Sequence, residues 1–199
     1  MLKSFFSDEE YFKKLYIIGL PLIIQQVVTN SVNLIDTLMI GSFGDVSLAA
    51  VNLCNQFYFF FYMLIYGANA GGSILNAQFW GNRDKENLHR VMGLQFISCF
   101  VIGLIFSLAT FLIPDKIISL YSDDPFVIET GVVYIRTLSV SYFLYAISQV
   151  FLNAHRSIGN TQFTMKVAIG SLFINIMMNY VLIFGKFGFP ELGVSGAAI

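Results

Sequence analysis

The sequence predicts an all-α membrane protein with five complete transmembrane helices and the start of a sixth. Two observations carry this reading. The chain is 56% hydrophobic and only 12% charged, with a mean hydropathy of +0.72, whereas about a quarter of the residues in soluble domains are charged. Uncharged apolar stretches also recur along it, each near the ~20 residues that carry a helix across the ~30 Å hydrocarbon core of a bilayer. The first apolar run is too long for a cleavable signal, and no small-residue cleavage site follows it. The first helix is therefore expected in the mature protein.

In chain order, residues 1–14 are mixed polar and aromatic and suit a short interfacial helix. The first span is expected over 15–40, with Pro21 tolerated near its start. A short turn leads to a second helix over 48–75 and a polar loop over 76–87. The third helix, 88–113, is stopped by Pro114, and a short acidic loop runs to Phe126. The fourth is expected over 127–153 and the fifth over 162–184. A further apolar run begins at Val194 and reaches only Ile199, far too short to span.

Basic residues set the expected orientation. Lys3, Lys13, Lys14, Arg83, Lys85, Arg90, Arg156 and Lys166 fall on one side, against Lys116 and Lys186 on the other. The positive-inside rule then puts the N-terminus in the cytoplasm of a multi-pass protein of the plasma (inner) membrane. Cys54 and Cys99 lie in apolar runs without paired spacing and read as buried small hydrophobes. His89 and His155 lack metal-ligand spacing and read as interfacial polar residues. The polar turns GNRDKENLHRV and AHRSIGNTQFTM carry no phosphate-binding loop, and no nucleic-acid partner or cofactor is expected.

The candidate functional residues are polar groups inside the spans. Gln25 or Gln26, Thr29, Asn33 and Asp36 recur at steps of three or four and line one face of the first helix. Such a stripe must face protein or water, and an acid on it is a functional candidate by default. Asp36 lies about five residues, roughly 7 Å, inside the outer end of its span. At similar depths the fifth helix offers Asn175 and Asn179, and the second offers Asn52 and Gln56. The fourth offers Tyr134, with Ser141, Tyr145 and Gln149 deeper on its stripe. The amides serve equally well as hydrogen-bonding glue between helices, worth about 1 kcal/mol each. A carboxyl group at Asp36 instead suits reversible binding of a proton or a sodium ion. Arg136, about 200° around the helix from Tyr134, is expected at the outer interface or against Glu129.

Several segments occur in order: PLIIQQVVTNSVNLIDTLMIGSFG, LAAVNL, AQFWGNRDKENLHRV, YIRTLSVSYF, RSIGNTQFTM and NIMMNYVLIFG. Together they resemble the multidrug and toxic compound extrusion (MATE) transporters over nearly the whole chain. That resemblance implies cation-coupled drug antiport by twelve helices in two six-helix lobes, of which this chain would be the first, cut short within its sixth helix. It implies that Asp36 is the coupling acid of the first helix and that Asn175 and Asn179 are the two polar positions of the fifth. In one branch of the family the second of these is an aspartate, so a site with two carboxylates is not expected here. Small organic substrates, the bilayer and the missing C-terminal lobe are the implied partners, and the chain alone is not expected to transport.

Two other classes compete. A lipid-linked oligosaccharide flippase of the same wider superfamily should line its cavity with basic residues, yet only Arg136 reads as well inside a span. A membrane enzyme needs a nucleophile, base or metal set, and no His falls within a span.

Overall fold

The computed structural model describes residues 9–42, 44–183, 185–188, 193 and 196. Seven helices and no strands are found among them: α1 (Glu9–Gly41), α2 (Asp45–Gly81), α3 (Lys85–Leu112), α4 (Pro114–Ile118), α5 (Pro125–Thr137), α6 (Ser139–Ser157) and α7 (Thr161–Ile183). Leu15–Gly41, α2, α3 and α7 are each long and apolar enough to cross a membrane, and α5 with α6 passes the same test as a bent pair. Five spans therefore alternate in direction, which brings the α2–α3 and α6–α7 turns to one end of the bundle.

The boundaries depart from expectation at four places. Residues from Glu9 to Lys14 continue helically into the first span rather than forming a separate interfacial helix, and α1 runs unbroken through Pro21. The second helix extends to Gly81, which shrinks the expected 76–87 loop to a turn at 82–84. Arg83 takes a left-handed conformation there (φ 58°). Asp84 then caps α3, accepting from the Asn87 side chain at 2.7 Å and its backbone N–H at 3.1 Å. These two bonds, the side-chain one first, hold the Asp84 carboxyl below its ordinary range. The cap is therefore complete at neutral pH and is lost as pH falls through that depressed value.

At the other end, the expected loop after Pro114 contains a helical turn, α4. Proline opens it, where its missing N–H is no loss. Ile117 and Ile118 bury against the core, and Ile118 fills the space beside Gly131. The largest departure is in the fourth span, where α5 and α6 meet at 47° about Leu138. No proline is present. Thr137 Oγ1 bonds back to the Val133 carbonyl at 2.9 Å just before the bend, a contact that the unbroken α1 also makes at Thr29, Ser31 and Thr37. The sixth apolar run lies outside the described residues, apart from Gly196.

Packing divides the bundle. α2, α3, α5 and α6 form a tight group, while α1 and α7 pack chiefly on each other and touch the group more lightly. Phe61 centres the core, fully buried, with its ring 4.9 Å from Tyr142 edge-on and 5.2 Å from Phe106. Cys54 and Cys99 are free and buried, as small hydrophobes should be. Apolar residues such as Ile23, Leu34, Phe60, Ile97 and Phe173 stay exposed along the spans, as expected of helices that face lipid.

Candidate functional site

Asp36, Asn175 and Asn179 meet. Asn179, 3% exposed, donates from Nδ2 to Asp36 Oδ1 at 2.6 Å and lies 3.4 Å from Asn175 Oδ1. The two asparagines share a face of α7 because they are four residues apart, and Asp36 stands opposite them on α1. A carboxylate joined to an amide across two spans, with a second amide oxygen alongside, is an oxygen-rich site. Such oxygens can take up a proton or a hard cation such as sodium.

The other polar candidates disperse. Gln26, Thr29 and Asn33 are exposed on α1 and bond only along their own helix: Gln26 to Asn30, Thr29 to the Gln25 carbonyl, and the Asn33 carbonyl to Thr37. Asn52 and Gln56 are exposed on α2. Tyr134 is buried. Ser141 and Tyr145 border a small cavity of about 80 Å³, and Tyr145 and Gln149 line a larger one of about 290 Å³. Arg136 approaches Asp115 at 3.9 Å, with both side chains largely exposed. Glu129 is thus not the partner, because α4 brings Asp115 alongside α5.

Sequence reasoning missed a second polar centre, nearer the end that holds the α2–α3 turn. The backbone carbonyl of Asn69 accepts from three side chains: Ser73 Oγ at 2.9 Å, Gln95 Nε2 at 3.1 Å and Asn153 Nδ2 at 3.1 Å. Asn153 also reaches Ser73 Oγ at 2.5 Å, and Asn76 donates to Gln95 Oε1 at 2.7 Å. Gly72 admits Gln95, since a Cβ there would fall 2.2 Å from its Cδ. The legible signal was Asn69, Ser73 and Asn76 recurring at steps of four and three around a Gly-Gly pair.

Because Asn76 is fully buried, Gln95→Leu leaves its amide without a partner. The expected loss is about 1–3 kcal/mol of stability. Thermal unfolding of the purified variant checks it, and an unshifted midpoint would show that the amides are satisfied otherwise.

Known proteins resemble this chain over most of its length. A family profile described as MatE matches residues 21–181. A probable multidrug resistance protein NorM of Thermotoga maritima is 30% identical over 203 residues, covering 100% of this chain and 44% of its own length. An uncharacterized transporter, YisQ, of Bacillus subtilis is 31% identical over 164 residues, covering 82% of this chain and 36% of its own. Among solved structures, a MOP superfamily transporter from Pyrococcus furiosus superposes with a TM-score of 0.83 at 24% identity, over 94% of this chain and 40% of that one. The chain spans less than half the length of each of these proteins.

Proposed function

Because the chain belongs to the MatE family, a family of multi-pass membrane transporters, we propose that it forms the N-terminal lobe of a secondary active transporter. That transporter exports drugs or other organic compounds in exchange for protons or sodium ions, with Asp36 as the coupling group. The observation that carries the coupling reading is the hydrogen bond from Asn179 to Asp36, which joins α1 to α7 within apolar spans.

A proton or cation arriving at Asp36 changes what its oxygens can accept from Asn179. The α1–α7 link is then weaker or differently placed, and α1 is free to shift against the tighter α2–α3–α6 group. An ion that prefers one arrangement shifts the population toward it, and a drug that prefers the other is driven by the same linkage. The exposed amides and hydroxyls of Gln26, Thr29 and Asn33 on α1, and of Asn52 and Gln56 on α2, suit the wall of the drug path. The NorM relative, named as a multidrug resistance protein, supports drugs as the cargo. A lipid-linked oligosaccharide is the weaker reading, since the named relative is a multidrug resistance protein and the exposed polar groups of α1 and α2 named above are amides and hydroxyls rather than the basic groups that a phosphate-rich head group needs. The deciding experiment is ion-driven dye efflux from vesicles with Asp36 altered.

The N-terminus faces the cytoplasm in this reading. Single cysteines introduced at positions 83 and 156 are therefore expected to resist external labelling in intact cells, and one at 123 to accept it. The opposite pattern would invert the lobe.

A further inference from the structure

The larger cavity lies apart from the Asp36 cluster and adjoins the amide centre, whose Asn69, Ser73 and Asn153 form part of its wall. It opens between α2 and α6 and is bordered by Tyr62, Tyr66, Tyr145, Gln149, Asn153 and Arg156. Arg156 is the informative residue. It closes the last turn of α6 and is only half-exposed. Its Nε is enclosed without a hydrogen-bond partner, and among the described residues no acid pairs with it. The cavity lining contains no Asp or Glu at all. A guanidinium partly withdrawn from water with no counter-charge is unfavourable unless a ligand or solvent meets it.

The remaining walls agree in sign. The Gln149 amide and the Tyr62 and Tyr66 hydroxyls offer further donors, and the rings of Tyr62 and Tyr66 stack at 6.2 Å and 26°. Asn153 is held in place by Asn69 and Ser73, which fixes the turn of α6 that leads to Arg156. A cation and several donors beside aromatic faces, in about 290 Å³, match one ligand chemistry.

We propose that this cavity binds a small organic oxyanion, a carboxylate or phosphate on an apolar or single-ring body, with Arg156 as its counter-charge. The guanidinium presents a fork to two oxygens of the anion, a geometry that an ammonium does not reproduce, and the tyrosine rings cover the body. The anion arrives either free from the aqueous phase or as the headgroup of an anionic lipid. The site is separate from Asp36, and binding needs no ion gradient, so this proposal and the coupling reading fail independently.

The test is calorimetric titration of the purified 199-residue chain in phosphatidylcholine nanodiscs with benzoate and with phenyl phosphate. Saturable binding is expected, weakened about tenfold or more by Arg156→Gln. Arg156→Lys should retain part of the affinity, and Tyr66→Leu should lose several-fold while leaving the charge in place. If phosphatidylglycerol in the disc competes with benzoate in wild type but not in Arg156→Gln, the headgroup is the natural source. If it does not compete, the free anion is. Absence of saturable binding, or equal affinity in wild type and Arg156→Gln, overturns the proposal. Should Arg156→Gln fail to fold, unchanged binding in both Tyr66→Leu and Gln149→Leu does the same.

Discussion

In a transporter carrying this lobe, Asp36→Asn is expected to reach the membrane at normal levels and to lose ion-driven efflux down to the rate of vesicles without protein. The substitution keeps the size of the side chain and one oxygen that can accept from Asn179 Nδ2, so the protein folds with the α1–α7 link held permanently as in the neutral state. What disappears is the capacity to take up and release a proton or to balance the charge of a sodium ion. Drug binding need not vanish, because ion and drug are coupled through the conformational equilibrium rather than through shared atoms. Asp36→Glu should retain part of the rate, since the carboxylate persists one methylene away. Asn179→Ala should do less harm than Asp36→Asn, because it removes a donor and not the titrating group. Dye efflux under an imposed proton or sodium gradient, at matched protein levels, measures all three. Wild-type efflux from Asp36→Asn would return Asp36 to a structural role.

Gly103→Leu is expected to be the most disruptive single change in the packing between α3 and α6. Gly103 is buried against α6, and even a Cβ there would fall 2.7 Å from the Ala146 Cβ and 3.4 Å from the Phe143 Cα. Ala146 is itself fully buried and has nowhere to retreat. Membrane helices approach closely through such small residues, and dispersion across the contact holds them together. A leucine must push the two helices apart, at about 1–3 kcal/mol for overpacking. Each kcal/mol lowers the unfolding midpoint by roughly 2–4 °C at this chain length. Gly93, on the same helix, has open space where its Cβ would lie. Gly93→Leu should therefore leave the midpoint nearly unchanged in the same detergent. Equal shifts for the two variants would remove the close-approach account of the α3–α6 contact.

Much of the architecture is local and was legible for that reason. Hydropathy over windows of about twenty residues finds spans without reference to their partners. The apolar runs consequently became α1, α2, α3 and α7 within a few residues at most ends. The bend at Leu138 was hidden, since no proline or glycine marks it. Asp36 stood out because a carboxylate inside an apolar run needs an explanation on its own. Its meeting with Asn179 was legible only as equal depth on two spans, joined to the family resemblance.

The stripe of Asn69, Ser73 and Asn76 was legible in the sequence, but the partners that complete the amide network and the Arg156 cavity were not. Asn69 and Gln95 were not singled out, Asn76 was assigned to the loop after the second helix, and Arg156 read as one more positive charge in a turn. Which of these face each other depends on how far each helix is rotated and on how closely it approaches its neighbours. Gly72 sets that distance for Gln95, and Gly103 sets it for Ala146. Composition and periodicity by themselves determined that this chain crosses a membrane as helices, and that an acid lies within the first. They carry no information on relative helix rotation. Only the packed bundle decided that Asn179 answers Asp36, that Asp115 answers Arg136, and that Arg156 turns inward beside tyrosines with no acid among the described residues to meet it.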